Sequence, residues 1–225
     1  MSIDLISPDF KGAIFDLDGT LFDSMDFWSH LDERFLKRHG VSPVPDDYML
    51  EIAHLGAEET AIYTKKRFGF DMSPEEMMRE WHGDAVGYYN ESVRLKPCAE
   101  EYLAMLKNAG VKLAVATANS RELYMPAVER LGLTKYFDDY AEVSEVGRKK
   151  GFPDIYELAA SRLGVQPAEC AVFEDIYVAL MGAKAGGFRT VGVYDESSER
   201  DRELIIGCTD AFIESFEDIV KRQMQ

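Results

Sequence analysis

The feature that most constrains the fold is a set of short apolar runs, each of which leads into polar residues. The first run covers residues 12–15 and is followed directly by Asp16, Leu17, Asp18 and Gly19. A short apolar run that begins at a glycine is typical of a buried strand. Glycine tolerates backbone angles that other residues resist, so a turn at Asp18 and Gly19 would swing the second carboxylate over the first.

Two later apolar runs also end in polar side chains, and a lysine lies between them in the sequence. The carboxyl ends of parallel strands meet at one edge of a sheet, where open α/β sheets bind their ligands. These side chains therefore converge if their strands are neighbours in one parallel sheet. The residues concerned are Thr117, Ala118 (through its backbone N–H), Asn119, Lys150, Glu174 and Asp175.

Strand and helix patterns alternate in most of the chain, which predicts right-handed βαβ units and a parallel sheet covered on both faces. The predicted strands are 12–16, 111–117, 140–143, 170–174, 189–193 and 211–213. The predicted helices are 99–109, 121–131, 153–163, 178–185, 199–206 and 216–222. Pro126 lies inside one of these helices and predicts a break or a shortened first turn there.

The segment of residues 24–95 shows only helical patterns. The predicted helices are 25–39, 46–54, 58–68 and 75–90. Ser73, Pro74 and Glu76 form a start signal for the last of these, with Ser73 as the N-cap. We therefore expect a core formed by residues 1–23 and 96–225, with residues 24–95 as an inserted all-helical domain.

The order of these motifs resembles that of the haloacid dehalogenase superfamily, specifically its phosphatase and β-phosphoglucomutase-like branch. The resemblance covers essentially the whole chain. It implies a Rossmann-like α/β core with a parallel sheet and an inserted helical cap domain. It also implies a Mg²⁺-dependent phosphatase that hydrolyses a small phosphorylated metabolite, such as a sugar phosphate or a phosphoglycolate-like compound.

The resemblance also assigns roles to the acidic residues. Asp16 would attack phosphorus and form an aspartyl-phosphate. Asp18 would protonate the leaving oxygen and then deprotonate the attacking water. Mg²⁺ would be held by Asp16, the backbone carbonyl of Asp18 and Asp175. Glu174 would orient a metal-bound water or exchange roles with Asp175.

The remaining motif residues would bind the phosphoryl group. The Thr117 hydroxyl and the Ala118 N–H would donate to its oxygens, and Asn119 would assist. Lys150 would neutralise the nucleophile and a phosphoryl oxygen together. A simple helix-capping role for Thr117 and a solvated surface position for Lys150, which has Lys149 beside it, are the structural alternatives.

Two departures from the family pattern bear on activity. The family usually carries Ser and Gly where this chain has Ile176 and Ala179. The loop at residues 150–154 has Gly151 in place of a proline, which we expect to loosen the segment that holds Lys150. A catalytically weak or regulatory protein that binds phosphorylated sugars is therefore one alternative function.

A β-phosphoglucomutase-type phosphomutase is the closest enzymatic alternative. Such an enzyme usually has an Arg three residues after a cap glycine, and a His ten residues after the second aspartate. Here Glu59 follows Gly56 at the first spacing, and Trp28 follows Asp18 at the second. An anion cannot clamp a second phosphate and an indole cannot shuttle a proton, so hydrolysis is the expected reaction.

The composition limits the binding partners and the cellular location that we expect for this protein. The net charge of −16 argues against a nucleic-acid surface, which needs clustered lysine and arginine. No window approaches the roughly 20 apolar residues of a membrane helix, and the start of the chain lacks a signal-peptide pattern. Three widely spaced cysteines indicate reduced thiols, so we expect a cytoplasmic protein, as a monomer or weak homodimer.

The histidines and tryptophans all fall in the helical segment. No histidine pair has zinc-ligand spacing, so we expect packing or surface roles for them. The tryptophans are expected to pack in the core of the cap. These residues are His30, His39, His54, His82, Trp28 and Trp81.

Overall fold

The computed structural model describes residues 3–52 and 55–223, and contains one six-stranded parallel sheet. The α/β fold class predicted from the sequence is confirmed. The strands are β1 (Gly12–Phe15), β2 (Lys112–Thr117), β3 (Asp139–Glu142), β4 (Cys170–Glu174), β5 (Arg189–Val193) and β6 (Ala211–Ile213).

The strand order β3-β2-β1-β4-β5-β6 places β1 near the centre of the sheet. The chain first extends the sheet from β1 to β2 and β3, and then crosses back to add β4 on the other side of β1. The order therefore reverses around β1. Open α/β sheets bind ligands at the carboxyl ends of the strands at such a switch point.

The two faces of the central strands bury different side chains because successive residues of a strand point to opposite faces. On one face, the ring of Phe15 stacks on Phe173 with centroids 4.3 Å apart, and Tyr102 meets both rings edge-on. On the other face, Ile14 and Val172 belong to the same buried cluster as Tyr156. This double burial explains the continuous apolar runs in the sequence.

Seven helices of the described chain accompany the sheet. They are α6 (Ala99–Asn108), α7 (Arg121–Arg130), α8 (Val143–Val146), α9 (Asp154–Leu163), α10 (Tyr177–Ala185), α11 (Arg202–Cys208) and α12 (Phe216–Gln223). The expected effect of Pro126 was wrong, because α7 runs through it without interruption. Buried Leu123, Tyr124 and Val128 hold this helix by packing, which outweighs one lost backbone hydrogen bond.

The remaining helices are α1 (Met25–Ser29), α2 (Leu31–Arg38), α3 (Asp46–Ile52), α4 (Ala57–Phe68) and α5 (Pro74–Glu91). The predicted single helix 25–39 is two helices, interrupted at His30. The structure describes the predicted helix 46–54 up to Ile52, and the last two residues of that prediction, including His54, lie outside the described residues. Ser73 caps α5 as expected: its hydroxyl accepts from the Glu76 N–H, and the Glu76 carboxylate accepts from the Ser73 N–H.

The chain divides into two compact units, a core unit (Met1–Met25 with Val93–Gln225) and a helical unit (Asp26–Ser92). From the sequence, the helical domain was expected to span residues 24–95. The two connecting segments hydrogen-bond to each other within the core unit: the Asp23 N–H donates to the Arg94 carbonyl, and the Lys96 N–H to the Leu21 carbonyl. These bonds tie residues 94–96 to the sheet-containing unit.

The helical unit has an aromatic core of its own. Trp81 is buried and meets Phe35 edge-on at 5.6 Å, as expected for a core tryptophan. Trp28 is half-buried and its indole N–H donates to the Tyr89 hydroxyl. Throughout the described chain, every helix is too short or too polar to cross a lipid bilayer.

Candidate active site

The turn that follows β1 positions the acidic residues of the candidate site. Asp16 follows the strand directly, is almost fully buried, and donates its N–H to the Phe173 carbonyl of β4. Gly19 has φ of +77°, and a Cβ atom there would lie 2.3 Å from Oδ2 of Asp175. Both the backbone angle and the space therefore require glycine at this position.

The same turn brings Asp18 to the end of β2. Its Oδ1 accepts a hydrogen bond from the Ser24 hydroxyl at 2.6 Å, and its Oδ2 accepts one from the Asn119 side-chain amide at 2.6 Å. The second carboxylate of the motif is therefore fixed in orientation by hydrogen-bond donors at both of its oxygens. Ser24 was not singled out in the sequence.

Asp16, Glu174 and Asp175 form a buried carboxylate cluster at the ends of β1 and β4. One oxygen of each lies within 4.8 Å of the others. The Thr20 hydroxyl donates to Oδ1 of Asp175 at 3.1 Å. Two oxygens of this carboxylate cluster, Oε2 of Glu174 and Oδ2 of Asp175, are buried without a hydrogen-bond partner.

The surroundings make Glu174 and Asp175 hard to ionise without a cation. Burial raises the pKa of Glu174 to about 7, the charge of Asp16 adds to the effect, and Lys150 opposes it. Burial, followed by the charges of Asp16 and Glu174, raises the pKa of Asp175 well above its usual value. An all-oxygen donor set with unpartnered buried oxygens fits a hard divalent cation such as Mg²⁺.

Lys150 supplies the positive charge of the site. Its ammonium group contacts Oδ1 of Asp16 and lies 2.7 Å from Oε1 of Glu174. Burial alone would lower the pKa of Lys150, but the two carboxylates outweigh it and the pKa is raised. The neighbouring Lys149 is exposed. The geometry thus excludes a solvated surface position for Lys150.

The loop that carries Lys150 packs tightly against α10. A Cβ atom on Gly182 would lie 2.2 Å from the Lys150 carbonyl oxygen and 2.8 Å from the carbonyl carbon of Gly151. This close approach constrains a loop that the sequence was expected to leave loose. The requirement cannot be read from the sequence, because it depends on a contact between segments more than 30 residues apart.

Thr117, the last residue of β2, was predicted to bind a phosphoryl group together with the next two residues, Ala118 and Asn119. Thr117 is buried, and its hydroxyl accepts the Asn119 N–H at 3.1 Å. Ala118 is exposed and Asn119 is half-buried. The N-cap position of α7 is occupied by Ser120, without a side-chain capping bond. The structure therefore brings Asn119 next to Asp18 and Thr117 next to Asn119, and their phosphate contacts stay predictions.

The residues that depart from the family pattern have different environments. Ile176 is 43% exposed, whereas Ala179 is buried on α10. Glu59 accepts a hydrogen bond from the Gly56 N–H at 3.0 Å, so it caps the start of α4.

Tyr156 also contacts the carboxylate cluster but was not among the site residues predicted from the sequence. Its hydroxyl donates a hydrogen bond to Oε1 of Glu174 at 2.9 Å.

We predict that Gly182→Ala destabilises the core unit and displaces the Lys150 loop. Overpacking a fitted contact costs on the order of 1–3 kcal/mol, which lowers the melting temperature by several degrees. Gly207→Ala is the matched control, because Gly207 is also helical and its Cβ would meet no atom within 4 Å. Equal melting temperatures for the two variants would contradict the proposed close fit.

The chain is similar to known proteins over most of its length. Residues 13–193 match the family described as haloacid dehalogenase-like hydrolase. The phosphorylated carbohydrates phosphatase of Thermotoga maritima is 28% identical over 181 residues, covering 80% of this chain and 83% of that protein. The validoxylamine A 7'-phosphate phosphatase of Streptomyces hygroscopicus subsp. limoneus is 30% identical over 184 residues, covering 82% and 85%.

A solved structure extends the similarity to the full fold. A Thermotoga maritima protein assigned provisionally as a β-phosphoglucomutase superposes with a TM-score of 0.82 at 26% identity, covering 95% of this chain and 98% of that one. The matched family, the parallel sheet and the phosphatase relatives lead to one conclusion: the chain belongs to the haloacid dehalogenase-like hydrolases and is a phosphoric monoester hydrolase.

Proposed function

We propose that this protein is a Mg²⁺-dependent phosphatase that hydrolyses a small phosphorylated sugar or similar metabolite through an aspartyl-phosphate on Asp16. The observation that carries the proposal is the buried carboxylate cluster beside the Lys150 ammonium. The phosphorylated carbohydrate named in one relative supports the substrate class.

The chemical problem is charge. A phosphate monoester is an anion, and a carboxylate nucleophile repels it by about 4 kcal/mol at 4 Å for an effective dielectric near 20. Lys150 reduces that repulsion, because its ammonium lies against Asp16 on one side and Glu174 on the other. When bound by Asp16, Asp175 and the Asp18 carbonyl, Mg²⁺ would supply the remaining positive charge.

In the first half-reaction, an Asp16 oxygen forms a bond to phosphorus as the ester oxygen leaves. Asp18 protonates that leaving oxygen. The hydrogen bonds from Ser24 and Asn119 hold the Asp18 carboxyl in one orientation for this transfer. Thr117 and the Ala118 N–H are proposed to hold the phosphoryl oxygens. The contact between Asn119 and Asp18 adds an orienting role to the phosphate contact proposed for Asn119.

In the second half-reaction, Asp18 takes a proton from water, which attacks the phosphorus of the aspartyl-phosphate. The bond between phosphorus and Asp16 breaks, inorganic phosphate leaves, and both carboxyl groups return to their starting states. Lys150 stabilises the Asp16 carboxylate as it is released.

The phosphomutase alternative gains no support from the residues that would distinguish it. The Glu59 carboxylate takes part in capping α4, and the Trp28 indole is bonded to Tyr89. Neither group offers a phosphate clamp or a proton shuttle.

We expect Asp16→Asn to abolish hydrolysis of p-nitrophenyl phosphate and of phosphorylated sugars, because an amide cannot form the acyl phosphate. Steady-state assays of released phosphate test this. Asp71→Asn is the control, since it makes the same chemical change at an exposed position of the helical unit. Residual activity within about tenfold of the parent protein, or ~1.4 kcal/mol of barrier, would refute the covalent mechanism.

Metal dependence gives a second test. Chelation should remove activity, Mg²⁺ should restore it, and Ca²⁺ should not, because its coordination is larger and looser. Asp175→Asn should raise the Mg²⁺ concentration needed for half-maximal activity at least tenfold, since it removes a charged ligand. The Asp71→Asn protein again serves as control. An unchanged Mg²⁺ requirement in Asp175→Asn would exclude Asp175 as a ligand.

A further inference from the structure

One hydroxyl next to the carboxylate cluster has no part in the mechanism described above. Tyr156 lies on α9, fully buried, and its hydroxyl donates to Oε1 of Glu174 at 2.9 Å. The same oxygen accepts from the Lys150 ammonium at 2.7 Å. The other oxygen of Glu174, Oε2, is buried and without a partner.

Packing alone does not explain a tyrosine at this position. The ring belongs to an apolar cluster with Ile14 and Val172, and it meets Phe188 edge-on at 6.1 Å. A phenylalanine would fill the same space without bringing a polar group into the interior. The additional atom of the tyrosine is the hydroxyl, and its bond goes to a member of the carboxylate cluster.

The hydroxyl of Tyr156 provides Glu174 with a hydrogen-bond donor of its own. Lys150 also contacts Asp16, so it is shared between two carboxylates. Tyr156 donates to Glu174, and therefore fixes which way this carboxylate faces.

We propose that Tyr156 is a positioning residue of the metal site: it holds Oε1 of Glu174, which leaves the unpartnered Oε2 as an acceptor for Mg²⁺ or for its bound water. This inference rests on the proposed metal dependence and concerns how strongly the site binds its cation. Outer partners that orient ligand groups typically contribute 10–100-fold to metal affinity.

The test is calorimetric titration of Mg²⁺ into the metal-free protein without substrate. Tyr156→Phe should weaken Mg²⁺ binding by about tenfold. At saturating Mg²⁺, kcat should stay within about threefold of the parent value, because Asp16, Asp18 and Lys150 are unchanged. The effect should therefore appear in the Mg²⁺ requirement and leave turnover largely intact.

Tyr124→Phe is the matched control. Tyr124 is a buried tyrosine on α7 whose hydroxyl donates to Oε1 of Glu142 at 3.2 Å, outside the carboxylate cluster. Its loss should leave Mg²⁺ affinity unchanged. An equal loss of affinity in both variants, or parent-like affinity in Tyr156→Phe, would overturn the role of Tyr156. Absence of Mg²⁺ binding by the parent protein would instead overturn the proposed function.

A second measurement does not depend on the folding of a variant. In a crystal structure of the parent protein with Mn²⁺, Oε2 of Glu174 should face the metal while Oε1 stays with Tyr156. A metal next to Oε1, with the Tyr156 hydroxyl bonded elsewhere, would contradict the inference.

Discussion

The repulsion among three buried carboxylates is the constraint around which this site is organised. Asp16, Glu174 and Asp175 bring oxygens within 4.8 Å of one another in a place with little water. Like charges about 4 Å apart repel by about 4 kcal/mol at an effective dielectric near 20. Lys150 balances one of the three charges. A divalent cation would balance the other two. Without a cation the carboxylate cluster destabilises the fold, but with one it suits a phosphatase.

The sheet topology explains how these charged side chains come together. β1 and β4 are neighbours, so the residues that end them meet without any long excursion of the chain. β2 lies on the other side of β1 and brings Asn119 to Asp18. The proposed nucleophile and its acid–base partner both follow β1, whereas the lysine comes from a separate loop before α9. Each is held by hydrogen bonds to its neighbours, which reduces the reorganisation needed during phosphoryl transfer.

Much of this architecture could be predicted from the sequence because it depends on local patterns. Apolar runs that end in Asp16, Thr117 and Glu174 predicted the strands and the edge where they converge. The start of α5 was predicted because capping is a property of a few adjacent residues, Ser73 and Glu76. Predictions failed where packing decides: α7 passes through Pro126, because its buried face outweighs one missing hydrogen bond.

The finer organisation of the site could not be predicted from the sequence for the same reason. Gly182 is one of several helical glycines, and only the tertiary fold places it against the Lys150 loop. Tyr156 looks like an ordinary aromatic residue on the buried face of α9. Its relation to Glu174 appears only when α9 is packed on the sheet. Tyr156 contacts the carboxylate cluster from a neighbouring helix and belongs to no motif that could be recognised in the sequence.

The central claim is that Asp16 carries the phosphoryl group, and chemical trapping tests it most directly. In Asp18→Asn, p-nitrophenolate can still leave without a proton, but the water that hydrolyses the intermediate lacks its base. The acyl phosphate should therefore accumulate. Borohydride reduction followed by peptide mass spectrometry should then find homoserine at position 16. Turnover by the parent protein with no modification in this variant, or reduction at another carboxylate, would contradict the account.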